Sequence, residues 1–257
     1  MTFSFISYQE FIEDCKEFIQ TLPRFPKVSY IPRSGIIPAF MYSKQFNSNL
    51  IPLKQADKNT LVFDDSVRFG RKLNEVQKSS PEPTYAVIYY SQDKGMNYKL
   101  DFKYKFIETP RLFEWNWINQ EHIINRACFD FDGVLCHFPR EDLSSGKIDY
   151  KEFLKNAIPK FIPDYEIGAI CTGRLEKYRK ETEEWLKKHN VKYRKLLMVN
   201  ATEEERMMNR LHTKPKIEEY SKMGYVLFVE DETYQALQIN HFTNKPVLDV
   251  TKWKIYK

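Results

Sequence analysis

The chain has 257 residues, of which 42% are hydrophobic and 15% aromatic, enough for one large domain or two small ones with real cores; the 29% of charged residues is ordinary for a soluble protein. A formal net charge of +5 suits phosphorylated ligands and gives little support for nucleic acid, which needs a clustered basic face. No apolar run approaches membrane-spanning length, and the start lacks the basic region, apolar core and cleavage site of a signal peptide; Cys15, Cys128, Cys136 and Cys171 form no Cys-x-x-Cys pair, so a cytoplasmic protein with reduced thiols is expected.

Residues Ser7 to Leu22 place Phe11, Ile12, Cys15, Phe18, Ile19 and Leu22 at helical spacing, which predicts a packing helix ended by Pro23 and Pro26. The stretch from Lys27 to Phe40 then reads as strand, loop and helix, with Arg33-Ser34-Gly35 as the tight loop. Asn49 to Leu53 gives a short strand. Thr60 onwards gives a strand ending in Asp64-Asp65, a loop containing Ser66, Arg68 and Gly70, and a helix from near Arg71. Tyr85 to Tyr90 is a further strand, and Asp101 to Glu108 alternates like an edge strand. Alternating strands and helices predict a mostly parallel sheet, whose ligands bind at the carboxyl ends of strands, where Arg33-Ser34-Gly35 and Asp64-Asp65 fall.

The chemistry of this half is coherent. Two carboxylates can accept hydrogen bonds from vicinal ribose hydroxyls. Ser66, Gly70 and the amides at the helix start by Arg71 can hold a phosphate, and Arg33 with its loop amides can meet a pyrophosphate. A surface acidic pair beside a helix cap is the plainer alternative. Over about Pro26 to Asn119 the sequence resembles the type I phosphoribosyltransferases: LVFDDSVRFGRKL is similar to their phosphoribosyl-pyrophosphate (PRPP) motif and IPRSG to their pyrophosphate loop. The resemblance implies PRPP or a nucleotide as ligand at Arg33, Ser34, Gly35, Asp64, Asp65, Ser66, Arg68, Gly70 and Arg71. The chain departs from the family where Arg68-Phe69 replaces an acid that assists the leaving group, and where Lys54 to Asn59 is short for the mobile flap. Pro110 to Ile118 is similar to the stretch that closes purine-type members. There Trp115 and Trp117 can stack on a base or pack between domains. Asn119 to Ile124 reads as the boundary, giving domains of residues 1–121 and 122–257.

In the second half, Ala127 to Phe131 reads as a buried strand that delivers Asp130 and Asp132, two apart and so on one side of an extended chain, into a turn at Gly133. Paired carboxylates in one crevice call for a cation. His137 to Glu166 holds one helix near Tyr150 to Ala157, too little for a large cap domain. Ile167 to Arg174 is a strand ending in Thr172-Gly173 before a helix over Leu175 to Asn190, a phosphate seat at a helix start. Leu196 to Val199 is a strand, Ala201 to Leu211 a charged helix, and Lys214-Pro-Lys216 precedes another helix. Tyr225 to Glu232 is a strand carrying Glu230 and Asp231, and Lys245 to Val250 closes the sheet.

FDFDGV, ICTGR, the lysine stretch and VEDE, in that order, resemble the four motifs of the haloacid dehalogenase-like (HAD) phosphohydrolases over about Asn125 to Lys257. The resemblance implies Asp130 as nucleophile through an aspartyl-phosphate, Asp132 as general acid/base, Thr172 and Lys214 on the phosphate, with Lys216 the rival lysine, and Mg²⁺ held among Asp130, Asp132, Glu230 and Asp231. The fold expected is α/β: two Rossmann-like, mostly parallel sheet domains in tandem, the second capless or small-capped. The function expected is a bifunctional enzyme of nucleotide metabolism that couples PRPP-dependent phosphoribosyl transfer to phosphomonoester hydrolysis. Two further readings stay open: a phosphatase gated by a non-catalytic PRPP- or nucleotide-binding module, and a polynucleotide 3′-phosphatase-like enzyme, for which nucleic acid is the less favoured partner. The sequence leaves the oligomeric state undetermined.

Overall fold

The computed structural model describes residues 4–68, 70–91, 98–208 and 212–257, and divides into two compact units, Met1–Trp115 and Asn116–Lys257. Phe69 of the expected phosphate loop, and Leu211 at the end of the expected charged helix, lie outside the described residues.

In the first unit β1 (Ser4–Ile6) leads into α1 (Tyr8–Thr21), whose first turn is capped by the Ser7 hydroxyl accepting from Glu10 N–H at 3.2 Å. The apolar stripe of α1 buries Phe11, Cys15, Phe18 and Ile19 in the unit's core. Then β2 (Lys27–Tyr30), α2 (Ile36–Phe46), β3 (Asn49–Leu50), β4 (Thr60–Val67), α3 (Arg71–Ser79), β5 (Thr84–Tyr90) and β6 (Phe102–Phe106) follow. Their sheet has the order β3-β2-β4-β5-β6, and every neighbouring pair is parallel. Leu61, Val62 and Phe63 of β4 are fully buried, as a central parallel strand covered on both faces requires. The half-polar β6 takes the edge that its alternation predicts. β7 (Arg111–Phe113) pairs with β1 in a separate two-stranded ribbon, which sequence patterning did not foresee.

In the second unit α4 (Glu121–Ile124) and β8 (Ala127–Phe129) precede α5 (Arg140–Ser144) and α6 (Tyr150–Asn156). After them come β9 (Ala169–Leu175), α7 (Arg179–Lys188), β10 (Leu196–Val199), α8 (Glu203–Met208), α9 (Lys214–Tyr220), β11 (Leu227–Glu230), α10 (Thr233–Thr243), β12 (Val247–Asp249) and β13 (Lys254–Tyr256). The sheet order is β10-β9-β8-β11-β12-β13, parallel except for the β12–β13 edge pair. The architecture is therefore α/β with two mostly parallel sheets. Only the short helices α5 and α6 lie between β8 and β9, so no large cap stands over the strand ends.

Each main sheet has one point where the chain reverses its direction of travel: between β2 and β4 in the first, between β8 and β11 in the second. Loops leaving two such strands diverge to opposite faces and leave a crevice at the carboxyl edge. Two expected boundaries are corrected. β4 runs on to Val67 rather than ending at Asp64-Asp65, and β9 runs through Thr172 to Leu175, with a helical turn only from Glu176 and α7 from Arg179. The peptide amides after Thr172 thus belong to a strand, not to a helix start.

Candidate functional site

The carboxyl edge of β8, between β9 and β11, gathers the chemistry of the second unit. Asp130 follows the last residue of β8; one oxygen, Oδ1, accepts from Phe131 N–H at 2.7 Å. The other, Oδ2, meets Lys216 Nζ at 2.9 Å. Lys216 is 2% exposed and also pairs with Glu230 Oε2 at 2.8 Å and donates to Gln235 Oε1 at 3.0 Å. Burial alone would lower the Lys216 ammonium, but Asp130 and Glu230 outweigh it and raise it, so it stays charged. Lys214, the preferred lysine of the sequence reading, is exposed at the first position of α9. This is a correction with a simple cause. Two positions along an α-helix are about 200° apart, so Lys214 and Lys216 cannot share a face.

Asp231 reaches the same point because Gly133, at φ +83, has no side chain: a Cβ there would overlap the Asp231 carboxylate. Ligand oxygens of Asp130, Glu230 and Asp231 all lie within 4.8 Å of one another. Burial, joined by Glu230 and opposed by Lys216, pushes the Asp130 carboxyl up to about 8. Burial and then Asp130 push Asp231 up to about 6. Crowded, dehydrated carboxylates of this kind fit a hard divalent cation, whose charge would restore their ionised forms.

The Asp132 side chain takes no part in that cluster, which corrects its place in the expected metal set. It is turned to the Arg174 guanidinium, with Nη2 donating to Oδ1 at 2.6 Å and Nε to Oδ2 at 3.0 Å. Arg174 is 1% exposed and lies 3.8 Å above the Phe131 ring. Sequence reading passed over it, although it sits in the quoted ICTGR stretch two residues after Thr172 and so on the same side of β9. Thr172 is buried, its hydroxyl accepting from Arg174 N–H at 3.1 Å. Asp130, Asp132, Thr172, Arg174, Lys216 and Asp231 line one cavity of about 390 Å³. Gln235, Arg206 and His212 also line it and carried no signal in the sequence. The two carboxylates at its base differ in kind: one lies against an ammonium and the metal-type cluster, the other in a guanidinium fork. Such a pair can divide nucleophilic and proton-transfer work.

In the first unit the loop after β2 and the carboxyl part of β4 meet. A Cβ on Gly35 would stand 2.5 Å from Phe63 O and 3.2 Å from Asp64 Cα, so only glycine lets the Arg33-Ser34-Gly35 turn lie against the acidic pair. The Pro32–Arg33 peptide bond in this turn is cis. Asp64 is half-buried; burial, then Asp65, push its carboxyl well above the usual range, against Lys72. Asp65 is buried, and its Oδ2 accepts from Trp115 Nε1 at 2.8 Å. Ser66 still belongs to β4, Arg68 follows it, Gly70 caps α3 in the left-handed conformation and Arg71 opens that helix. Trp115 is stacked on Phe11 and Phe113 at 4.1 and 4.8 Å, within the unit's own core. Trp117 is buried in the second unit against Phe129 and Phe161, at 5.9 and 5.6 Å.

No protein-family model and no curated protein matches the chain. Among solved structures, a xanthine-guanine-hypoxanthine phosphoribosyltransferase of Helicobacter pylori is similar over 45% of this chain and 93% of its own, with 19% identity and a TM-score of 0.38. A purine phosphoribosyltransferase of Pyrococcus horikoshii covers 45% of this chain and 94% of its own, with 17% identity and a TM-score of 0.37. A chain of a Pnkp1/Rnl/Hen1 complex covers 90% of this chain and 98% of its own, with 13% identity and a TM-score of 0.38. Among the described residues, no helix is long and apolar enough to cross a membrane.

Proposed function

We propose that the chain is an enzyme of nucleotide metabolism whose second unit hydrolyses a phosphomonoester through an aspartyl-phosphate, and whose first unit holds PRPP or a nucleotide. One observation carries the hydrolase reading: Asp130 and Asp132 line one cavity with opposite partners, Lys216 on the first and the Arg174 fork on the second. Asp130, with Oδ1 tied to a backbone amide, attacks phosphorus, and the bond to the leaving oxygen breaks. Asp132 supplies the proton that the leaving oxygen takes. In the second step Asp132 accepts a proton from water, the new oxygen attacks phosphorus, and the Asp130 carboxylate leaves. Lys216 and Thr172 meet the phosphoryl oxygens. Asp130, Glu230 and Asp231 are the residues that would hold Mg²⁺, which would supply charge neutralisation for the phosphoryl group.

For the first unit, the Arg33 turn, Asp64 and the start of α3 offer a ribose-phosphate seat. The hydrogen bond that commits Asp65 to Trp115 favours a second reading, in which this unit binds its ligand without turning it over and gates the hydrolase. The experiment is phosphate release from nucleotides and sugar phosphates with Mg²⁺, with and without PRPP, using Asp130→Asn as the blank, and pyrophosphate release assayed in parallel. Release that the variant abolishes is expected. Equal release by the variant would sink the hydrolase reading. Pyrophosphate release from PRPP and a base would favour transfer over gating.

A further inference from the structure

The cavity over Asp130 holds more cationic character than one phosphate monoester needs. Lys216 is paired with Asp130 and Glu230, and Arg174 with Asp132. Arg140 on α5 and Arg206 on α8 are further cations in the lining, and no carboxylate pairs with Arg206 among the described residues. Of the three acids on the same helix as Arg206, only Glu203 lines the cavity, and it is engaged by Lys177 at 3.2 Å. Arg206 Nη1 donates to Gly173 O at 3.0 Å, and Nε is buried with no hydrogen-bond partner among the described residues. His212 stands beside it; a Cβ on Gly173 would lie 3.5 Å from its Nδ1. A guanidinium in a cavity wall with no carboxylate on it, and an imidazole next to it, is the chemistry of an anion seat. On the neighbouring wall Tyr150 and Tyr178 lie edge to face, with centroids 5.1 Å apart, and both are half-buried in the cavity lining. Half-exposed aromatic rings beside a phosphate site are platforms for a planar base.

We propose that the cavity takes a phosphomonoester whose leaving group is a nucleoside carrying a second phosphate, with the reacting phosphate at Asp130, the second on Arg206 and His212, and the base against Tyr150 and Tyr178. The ligand is a nucleoside bisphosphate, free or as the phosphorylated end of a strand. This rests on the reading of the cavity as a phosphomonoesterase.

The test measures binding rather than turnover, so the two readings fail separately. Full-length Asp130→Asn protein with Mg²⁺ is titrated calorimetrically with adenosine 3′,5′-bisphosphate, with each adenosine monophosphate and with a 3′-phosphorylated dinucleotide. The bisphosphate is expected to bind at least about tenfold tighter than either monophosphate, the gain typical of a charge-assisted contact. Adding Arg206→Gln should bring that ratio close to one. A dinucleotide that shares the gain identifies a strand end as the source; a dinucleotide without it identifies the free bisphosphate. Equal affinities in the parent protein would overturn the proposal. So would a ratio that survives Arg206→Gln, or an equal loss for all ligands, which would mean that Arg206 only braces the Gly173 loop. If the wild-type protein releases no phosphate while the ratio holds, the hydrolase reading falls and the second seat stands.

Discussion

Lys214 and Lys216 are two positions apart, yet one is solvated and the other is enclosed by two carboxylates and an amide. A buried cation that loses its partners, or buried carboxylates that lose their cation, cost far more than the pair contributes. Lys216→Met is therefore expected to lower the free energy of unfolding by about 3 kcal/mol without Mg²⁺, and to cut phosphate release at least about a hundredfold. Lys214→Met should do neither. Urea denaturation and a phosphate-release assay on both variants check this; equal effects would remove Lys216 from the site. Trp115 makes a smaller case. Its N–H is the donor to buried Asp65, so Trp115→Phe keeps most of the stack on Phe11 and loses one hydrogen bond, at a cost of about 1–3 kcal/mol. A thermal melt that shows no loss would mean that Asp65 finds another donor.

At the scale of elements, α9 is fastened at both ends. Lys216 ties its start to β8 and β11. Near its end Glu219, 2% exposed, accepts from Lys195 at 2.8 Å, from Lys222 and from Tyr225. Burial alone would raise the Glu219 carboxyl, but these donors outweigh it and hold it below its ordinary value of 4.5. A carboxyl that titrates lower in the folded than in the unfolded chain stabilises fully above its unfolded value and loses that contribution as pH falls through the folded one. Below pH 4.5 the wild-type protein should therefore lose stability more steeply than Glu219→Gln, and the two curves should converge in acid. Parallel curves in pH-dependent melts would dismiss the effect. On the first sheet the turn between β2 and α2 depends on Gly35. A Cβ there would meet two backbone carbonyls, at 2.5 and 2.7 Å, which no side chain can move aside. Gly35→Ala should abolish PRPP-dependent stabilisation while Mg²⁺-dependent stabilisation persists.

For the whole molecule, two units with separate cores and separate crevices predict ligand effects that stay local. A ligand at a hundred times its dissociation constant stabilises the unit that binds it by about 2.7 kcal/mol. In hydrogen exchange, PRPP should protect β2 and β4, and Mg²⁺ should protect β8 and β11. Cross-protection at the other crevice would instead show that the two sites communicate, and would favour gating. The α/β class, most strands of the two main sheets and the placement of both groups of residues in the carboxyl parts of strands were legible, because buried parallel strands need apolar runs; β4 and β9 nonetheless run on past their polar residues. Asp130, Asp132, Thr172, Glu230 and Asp231 all fall at the carboxyl edge of one sheet for that reason.

What the sequence determined by itself was period and order: which segments of the main sheets are strands, which stretches between them are helices, and which polar residues lie near the strand ends. Direction and partnership were decided only by the tertiary structure. The choice of Lys216 over Lys214 depends on which face of α9 turns inward, and the Arg174 fork on Asp132 depends on two strands lying side by side. The cluster of Asp130 with Asp231 depends on a glycine that makes room for a residue about a hundred positions away. Local pattern fixes what each backbone segment can be, because a few neighbours determine it. Which side chains meet follows from register and crossing, which long-range packing decides and no short stretch contains.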